Sequence, residues 1–278
     1  MTQPLLTFVH LSDTHIHLDP AYVGNHVKYG PRPGVAALID HINTLPFHID
    51  CILHTGDIMT DPTQDADYAL AQAMLSRLNF PVYYIPGNHD RSAGVKHIML
   101  AERIAAGLTL APSEAHSYYT TEVNGVQLIM LDSSVPHAAA GVISDEQLAW
   151  LEPLCSDADD ARPLIVGVHH HPLRLLAPWL DELPLLNGDA LHAVLLKAKR
   201  RLRGVFFGHI HETTLLTRDD IRYISTLSAW FQTRTWVGQT EPTQDPVQQP
   251  GFNIVTLTAT DTLVRAYRIP FNPINPMA

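Results

Sequence analysis

Cysteine is nearly missing from this chain: two in 278 residues, Cys51 and Cys155. That excludes the disulfide framework of a small secreted domain. One falls in an expected strand and one in an expected helix, so both read as reduced, buried thiols of a cytoplasmic protein. No apolar run approaches the ~18–20 residues of a membrane span. The N-terminus has no basic stretch, and Leu5 to Leu11 is too short for the apolar core of a signal peptide. Positive charge is also scarce: 18 Lys and Arg stand against 28 Asp and Glu, a net charge of −10. This argues against a broad basic face, and so against nucleic acid as a partner. The one basic cluster, Lys197 to Arg203, closes a helical pattern that starts near Gly188. Cations are favoured at a helix C-terminus, so the cluster reads as structural rather than as a phosphate patch.

What the chain has in excess is histidine, 17 of them, almost as many as Lys and Arg together. A hydrophobic share of 46% supports a real core. No internal repeat and no long linker divides the chain, so 1–278 is expected to be one domain. Leu5 to Leu11, Cys51 to Thr55 and Pro81 to Ile85 read as strands. Between and after them, Gly34 to Leu45, Asp65 to Leu78 and Ser92 to Ala106 have helical spacing. That βαβ rhythm implies parallel central strands.

Further on, Ser117 to Glu122 and Val126 to Leu131 flank an Asn124-Gly125 turn. Ser144 to Gln147 reads as a capping box. Leu164 to Val168 and Gly204 to Phe207 are strands, and hairpins fill 212–278, which makes the second half antiparallel. The segment 239–251, rich in Pro and Gln, reads either as a surface loop or as a loop that sets substrate choice.

Polar residues collect at the C-terminal ends of these apolar runs: Asp13 and His15; Asp57; Asn88, His89 and Asp90; His169; His209 and His211. In open α/β sheets that edge is where ligands bind. Imidazole with carboxylate and amide oxygens suits a pair of divalent ions, and no cysteine stands among the candidates, which excludes a thiolate zinc site. On an extended backbone, Asp13-x-His15 and His209-x-His211 would each point two side chains the same way. In the run His169-His170-His171, the first residue after the strand is the expected ligand and His170 its competitor. The remaining histidines read as spacers (His41, His48, His97, His116, His137 and His192) or as packed strand residues (His10 and His54).

Taken together, Asp13-x-His15, Gly56-Asp57, Gly87-Asn88-His89-Asp90, the histidine after the fourth strand and Gly208-His209-x-His211 resemble the motif set of the calcineurin-like metallophosphoesterases. The segment Gly141 to Leu151 is similar to one common in that superfamily. The tail from Ile221 to Ile269 resembles the branch of class III cyclic-nucleotide phosphodiesterases and glycerophosphodiesterases. A cysteine frequent in that branch is absent here, where Ser225-Thr-Leu-Ser-Ala-Trp230 stands.

The resemblance implies an α/β fold, a four-layer αββα sandwich of two mixed β-sheets flanked by helices. It also implies two divalent metal ions, Mn, Fe or Zn, and a homo-oligomer. One ion would be held by Asp13, His15, Asp57 and His211, and the other by Asp57, Asn88, His169 and His209. His89 would protonate the leaving oxygen and Asp90 would orient it; Asn88, His89 and His171 would face the substrate. His17 is not used by the motif.

Two divalent ions less two carboxylates leave two positive charges, which one hydroxide and one diester monoanion neutralise. That balance favours diesters, and the resemblance implies hydrolysis of small phosphodiesters, cyclic nucleotides such as cAMP or glycerophosphodiesters, by attack of a metal-bound hydroxide. The alternatives are a phosphomonoesterase, a nucleotide pyrophosphatase or a non-catalytic protein-binding scaffold.

Overall fold

The computed structural model describes residues 4–24 and 27–271. Of the expected 1–278 span, residues 1–3, 25–26 and 272–278 lie outside the described residues. The first half holds β1 (Leu6–Leu11), α1 (Pro31–Asn43), β2 (Cys51–His54), α2 (Tyr68–Leu75), β3 (Val82–Tyr84), α3 (Ser92–Gly94) and α4 (Ala101–Ala105). Then follow β4 (Tyr119–Val123), β5 (Val126–Met130), α5 (Asp145–Ser156), β6 (Leu164–Gly167), α6 (Pro178–Asp181) and α7 (Gly188–Leu195). The chain closes with β7 (Leu202–Phe207), β8 (Leu215–Arg218), β9 (Ile221–Ser225), β10 (Gly251–Leu257) and β11 (Thr262–Arg268).

Side-chain alternation along the strands builds the layers. In β5, Leu128 and Met130 join the core that holds β1, β2, α1 and α2, while Ile129 joins the core of α5 and α7. In β7, Phe206 meets Phe8 edge-on at 5.2 Å, and Val205 and Phe207 face α7 instead. The sheets run β11-β10-β1-β2-β3 and β4-β5-β6-β7-β9-β8. Both are mixed, both are covered by helices, and the order is helix, sheet, sheet, helix. Cys51 and Cys155 are free and buried. Among the described residues, no helix is long and apolar enough to cross a membrane.

Several local expectations need correction. The second half is not purely antiparallel, because β9 returns beside β7 in parallel register. Ser144 does cap α5, accepting the N–H of Gln147 at 3.2 Å. The Gln147 side chain, however, does not reach back to close a capping box. It binds both backbone groups of Asp132 instead.

The 92–106 helix is interrupted by a π-turn at Val95–Met99. The basic cluster does not all cap a helix either. Arg201 is buried, donating to Gln127 and to the carbonyls of Leu154 and Arg162, and Leu202 already begins β7. His192 is buried rather than a spacer, held between the Tyr223 hydroxyl and Asp219.

Candidate metal centre

The loops after β1 and β2 zip together by backbone hydrogen bonds: Asp13 N–H to Gly56 O, His15 N–H to Asp57 O, and Ile16 N–H to Ile58 O. This brings Asp13, His15 and Asp57 to one edge. The Asp13 carboxylate accepts the N–H of His209, at 3.1 and 3.2 Å to its two oxygens, and so holds the loop after β7. Asp57 accepts the N–H of His89 at 3.0 Å, which holds the loop after β3. Gly87 makes that approach feasible, since a Cβ there would stand 2.2 Å from Asp57 Oδ1.

The extended geometry expected for Asp13-x-His15 and His209-x-His211 is not what the backbone adopts. Asp13, His15, Asp57, His209 and His211 all have φ between 46° and 70°. This left-handed region is uncommon for non-glycine residues, tolerated best by Asn, Asp and His, and concentrated at functional sites. Alternation therefore does not explain the paired ligands; tight left-handed turns do. His211 groups with Asp13 and His15, while His209 groups with His169 and His170.

The donor atoms are arranged as cation ligands need. His211 Nδ1 donates to Phe231 O at 2.9 Å. The Thr60 hydroxyl donates to His15 O, so its oxygen accepts from His15 Nδ1 at 3.1 Å. His169 Nδ1 donates to Thr55 O at 2.7 Å, and His209 Nε2 to Leu183 O at 3.0 Å. In His15, His209 and His211 one ring nitrogen is thus fixed by a protein acceptor and the other is left without one, while His169 Nε2 faces the oxygens of Asn88 and Asp57; fixing one nitrogen is the pattern that orients imidazole ligands.

The bare Nε2 atoms of His15 and His211 face each other at 3.1 Å. Two lone pairs in that position repel unless a cation or a proton lies between them. His169 Nε2 is 3.1 Å from Asn88 Oδ1. Asp57 Oδ2 lies 3.6 Å from His15 Nε2 and 3.4 Å from His169 Nε2, shared between the two groups. The buried His and Asp clusters fit a binuclear metal site.

Electrostatics agree with that fit. Burial pushes His15 down to about 3, with Asp57 only partly opposing it, so the ring stays neutral. Burial also drives His209 well below its ordinary value, helped by His170 and His169. His169 goes the other way: burial lowers it, but the charge and hydrogen bond of Asp57 outweigh that and push it up to about 9. Burial would raise Asp57, yet His169 and His89 hold it well below the carboxylate range. The pair of buried acids thus calls for compensating positive charge.

Two expected roles are placed differently. The Asp90 carboxylate does not meet the His89 ring. It accepts from the backbone N–H groups of Ile58, Met59 and Gly87 and from the Tyr68 hydroxyl, tying the β2 and β3 loops together. Enclosure and the charge of Asp57 push Asp90 up to about 6 against those donors. The carboxylate beside His89 is that of Asp61, at 3.4 Å.

His171, expected at the substrate side, is fully buried and stacked on His209 at 5.8 Å. His170 is buried too, with Nδ1 on the Ser133 hydroxyl. His17 stacks on Tyr22 outside the cluster. Contacts to the candidate ligands also come from 230–233. Trp230 lies 5.5 Å from His15, Phe231 lies 4.2 Å from His211, and Thr233 N–H binds His211 O. Segment 239–251 packs behind these, with Gln248 bound to Gln232 and Tyr29. Thr60, Asp61 and Gln232 carried no periodic or motif signal in the sequence, and Tyr68 stood only in the apolar stripe of a helix, with nothing to mark its hydroxyl.

A sandwich of two mixed sheets, with buried His and Asp clusters at the strand ends, defines a metal-dependent phosphoesterase scaffold. Residues 6–213 match the Metallophos family, the calcineurin-like phosphoesterases, and the chain belongs to that family. It is 30% identical over 213 residues to the glycerophosphodiester phosphodiesterase GpdQ of Enterobacter lignolyticus, covering 76% of this chain and 72% of that protein. It is 28% identical over 244 residues to the 3',5'-cyclic-nucleotide phosphodiesterase alr5338 of Nostoc sp., covering 86% and 85%. It is 30% identical over 227 residues to the 3',5'-cyclic adenosine monophosphate phosphodiesterase CpdA of Escherichia coli K12, covering 82% and 77%. Among solved structures, the yellow lupin purple acid phosphatase PPD1 superposes with a TM-score of 0.64 at 13% identity, over all of this chain and 53% of that one. TT1561 of Thermus thermophilus superposes with a TM-score of 0.54 at 12% identity, over 94% and 98%.

Proposed function

We propose that the protein hydrolyses small phosphodiesters with the help of two divalent cations. The observation that carries this reading is the sharing of Asp57 Oδ2 between two sets of donors, 3.6 Å from His15 and 3.4 Å from His169. Asp13, His15, Asp57 and His211 would hold one cation, and Asp57, Asn88, His169 and His209 the other. The donor set suits Mn, Fe or Zn. Such a pair, when bound, brings the pKa of water from 15.7 to roughly 7 and neutralises phosphoryl oxygens.

The residues of the chain supply orientation and a proton. Phe231 O, Thr60, Thr55 O and Leu183 O fix the tautomer of each ligating ring. His89 is half-buried beside Asp57 and gives its proton to the departing oxygen, with Asp61 holding its other ring edge. Buried Asp13 and Asp57 return two negative charges, so the centre retains the charge that a hydroxide and a diester monoanion would balance. Relatives named as cyclic-nucleotide and glycerophosphodiester phosphodiesterases support diesters of that size as substrates.

The test is hydrolysis of bis(p-nitrophenyl) phosphate by purified protein supplied with Mn²⁺, compared with p-nitrophenyl phosphate. A faster rate on the diester is expected. No turnover of either ester, or preference for the monoester, would end this reading.

A further inference from the structure

Two glutamines join the 239–251 segment to the candidate centre. The Gln248 carboxamide accepts the backbone N–H of Gln232 at 2.9 Å and donates to the Gln232 carbonyl at 3.0 Å. Gln232 repeats the arrangement: its own carboxamide accepts the N–H of Ser228 at 3.0 Å and donates to the Ser228 carbonyl at 2.8 Å. A carboxamide carries donor and acceptor side by side, so it can hold both backbone groups of one residue at once. Gln232 and Ser228 are fully buried. The Tyr29 hydroxyl donates to the same Gln248 oxygen at 2.8 Å, and Tyr29 O accepts the Trp230 indole N–H at 2.9 Å. Asp245 N–H adds a further bond to Gln232 O at 3.0 Å.

The stretch held in this way, 228–233, carries groups that fix candidate ligands. Ser228 Oγ donates to Asp13 O at 2.8 Å. Phe231 O accepts from His211 Nδ1 at 2.9 Å, and Thr233 N–H donates to His211 O at 3.1 Å. Trp230 lies 5.5 Å from the His15 ring. Asp13, His15 and His211 all belong to the first proposed set of ligands. No helix or strand runs through 228–233, and its one bridge, Thr233 to Gln244, leads back into the 239–251 segment. Its shape therefore depends on the glutamine clamps rather than on a regular ladder.

We infer that Gln232 and Gln248 are positioning residues for the first cation, and that segment 239–251 is a strap that sets its affinity; the inference rests on the two-cation reading above. The route is short. Gln248 holds the backbone of Gln232, the neighbour of Phe231, and the Phe231 carbonyl orients the His211 ring. Without the clamp that carbonyl is free to turn, and the ring must be oriented anew each time a cation binds. Outer partners of imidazole ligands are worth about 10–100-fold in metal affinity. Composition left open a second role for the segment, the choice of substrate, and that role by itself predicts no change in metal binding.

The experiment is calorimetric titration of the whole chain with Mn²⁺ after dialysis against EDTA, which reads binding without turnover. The native protein is expected to take up two equivalents, and His211→Ala identifies the first cation as the step it weakens most. Gln248→Leu should weaken that same step about tenfold, the low end for outer partners, and leave the other step within about twofold. The retained step shows that the variant has folded. Gln248→Glu keeps the acceptor oxygen and loses the donor, so it should fall between the native protein and Gln248→Leu. Equal weakening of both steps, weakening of the other step alone, or two unchanged steps would overturn the strap. Two unchanged steps with an altered KM would assign the segment to substrate choice instead. Each of these leaves the two-cation reading standing, whereas a native protein that binds one equivalent or none overturns both.

Discussion

Asp61 Oδ1 lies 3.4 Å from Nδ1 of His89, while Asp90, its sequence neighbour, turns its carboxylate away to the backbone of residues 58, 59 and 87. Two acids near one imidazole therefore do different work. Asp61→Asn should lower kcat by about tenfold, against ~10²–10⁴-fold for His89→Ala if that ring is the acid. Both variants should keep two equivalents of bound metal. Steady-state kinetics with metal analysis checks this, and loss of metal in either would contradict the division.

Asp90→Ala should act on the scaffold instead. It strands three backbone N–H groups and the Tyr68 hydroxyl, which also accepts from Arg91 N–H. A cost of about 3–5 kcal/mol is expected from unsatisfied buried donors. Denaturant midpoints of the metal-free protein measure it. An unchanged midpoint would show that the carboxylate is not the tie between the two loops.

Gly87→Ala is expected to displace a ligand without touching one. Its Cβ would stand 2.2 Å from Asp57 Oδ1 and 2.5 Å from Asp57 N, closer than real Cβ atoms approach. Asp57 serves both donor sets, so both equivalents of metal should weaken together. Stepwise loss of only one in calorimetry would count against a shared Asp57.

Chelation should abolish hydrolysis, and added Mn²⁺ should restore it, because the bare imidazole nitrogens need a cation between them. Assay before and after dialysis against EDTA is sufficient. Full activity in the chelated protein would remove the metal from the reaction.

Far from the site, Asp160 is hydrogen-bonded to Arg162, which brings its pKa down to about 2, with Arg201 adding to the effect. A depressed acid stabilises the fold above its unfolded pKa of about 3.9 and loses that contribution as pH falls towards the folded value. The Tm gap between the native protein and Asp160→Asn should therefore be full near pH 6 and close between about pH 4 and 2. A gap independent of pH would show that packing, not charge, is responsible.

Much of this was legible in one dimension. Alternating apolar residues set strand faces, helical spacing set α1 and α2, and Asn124-Gly125 set a hairpin turn with both φ values positive, because these depend on neighbours a few residues apart. The candidate ligands were legible too, since Asp, Asn and His at the ends of apolar runs are costly unless they hold something. What the sequence could not contain is long-range pairing. Asp90 meeting residues 58 and 59, Thr60 bracing His15, and Phe231 O fixing His211 each join points with no local signal between them. The left-handed turns under five candidate ligands are of the same kind: a strained conformation persists only when the surrounding fold over-determines it, and that surrounding exists only in three dimensions.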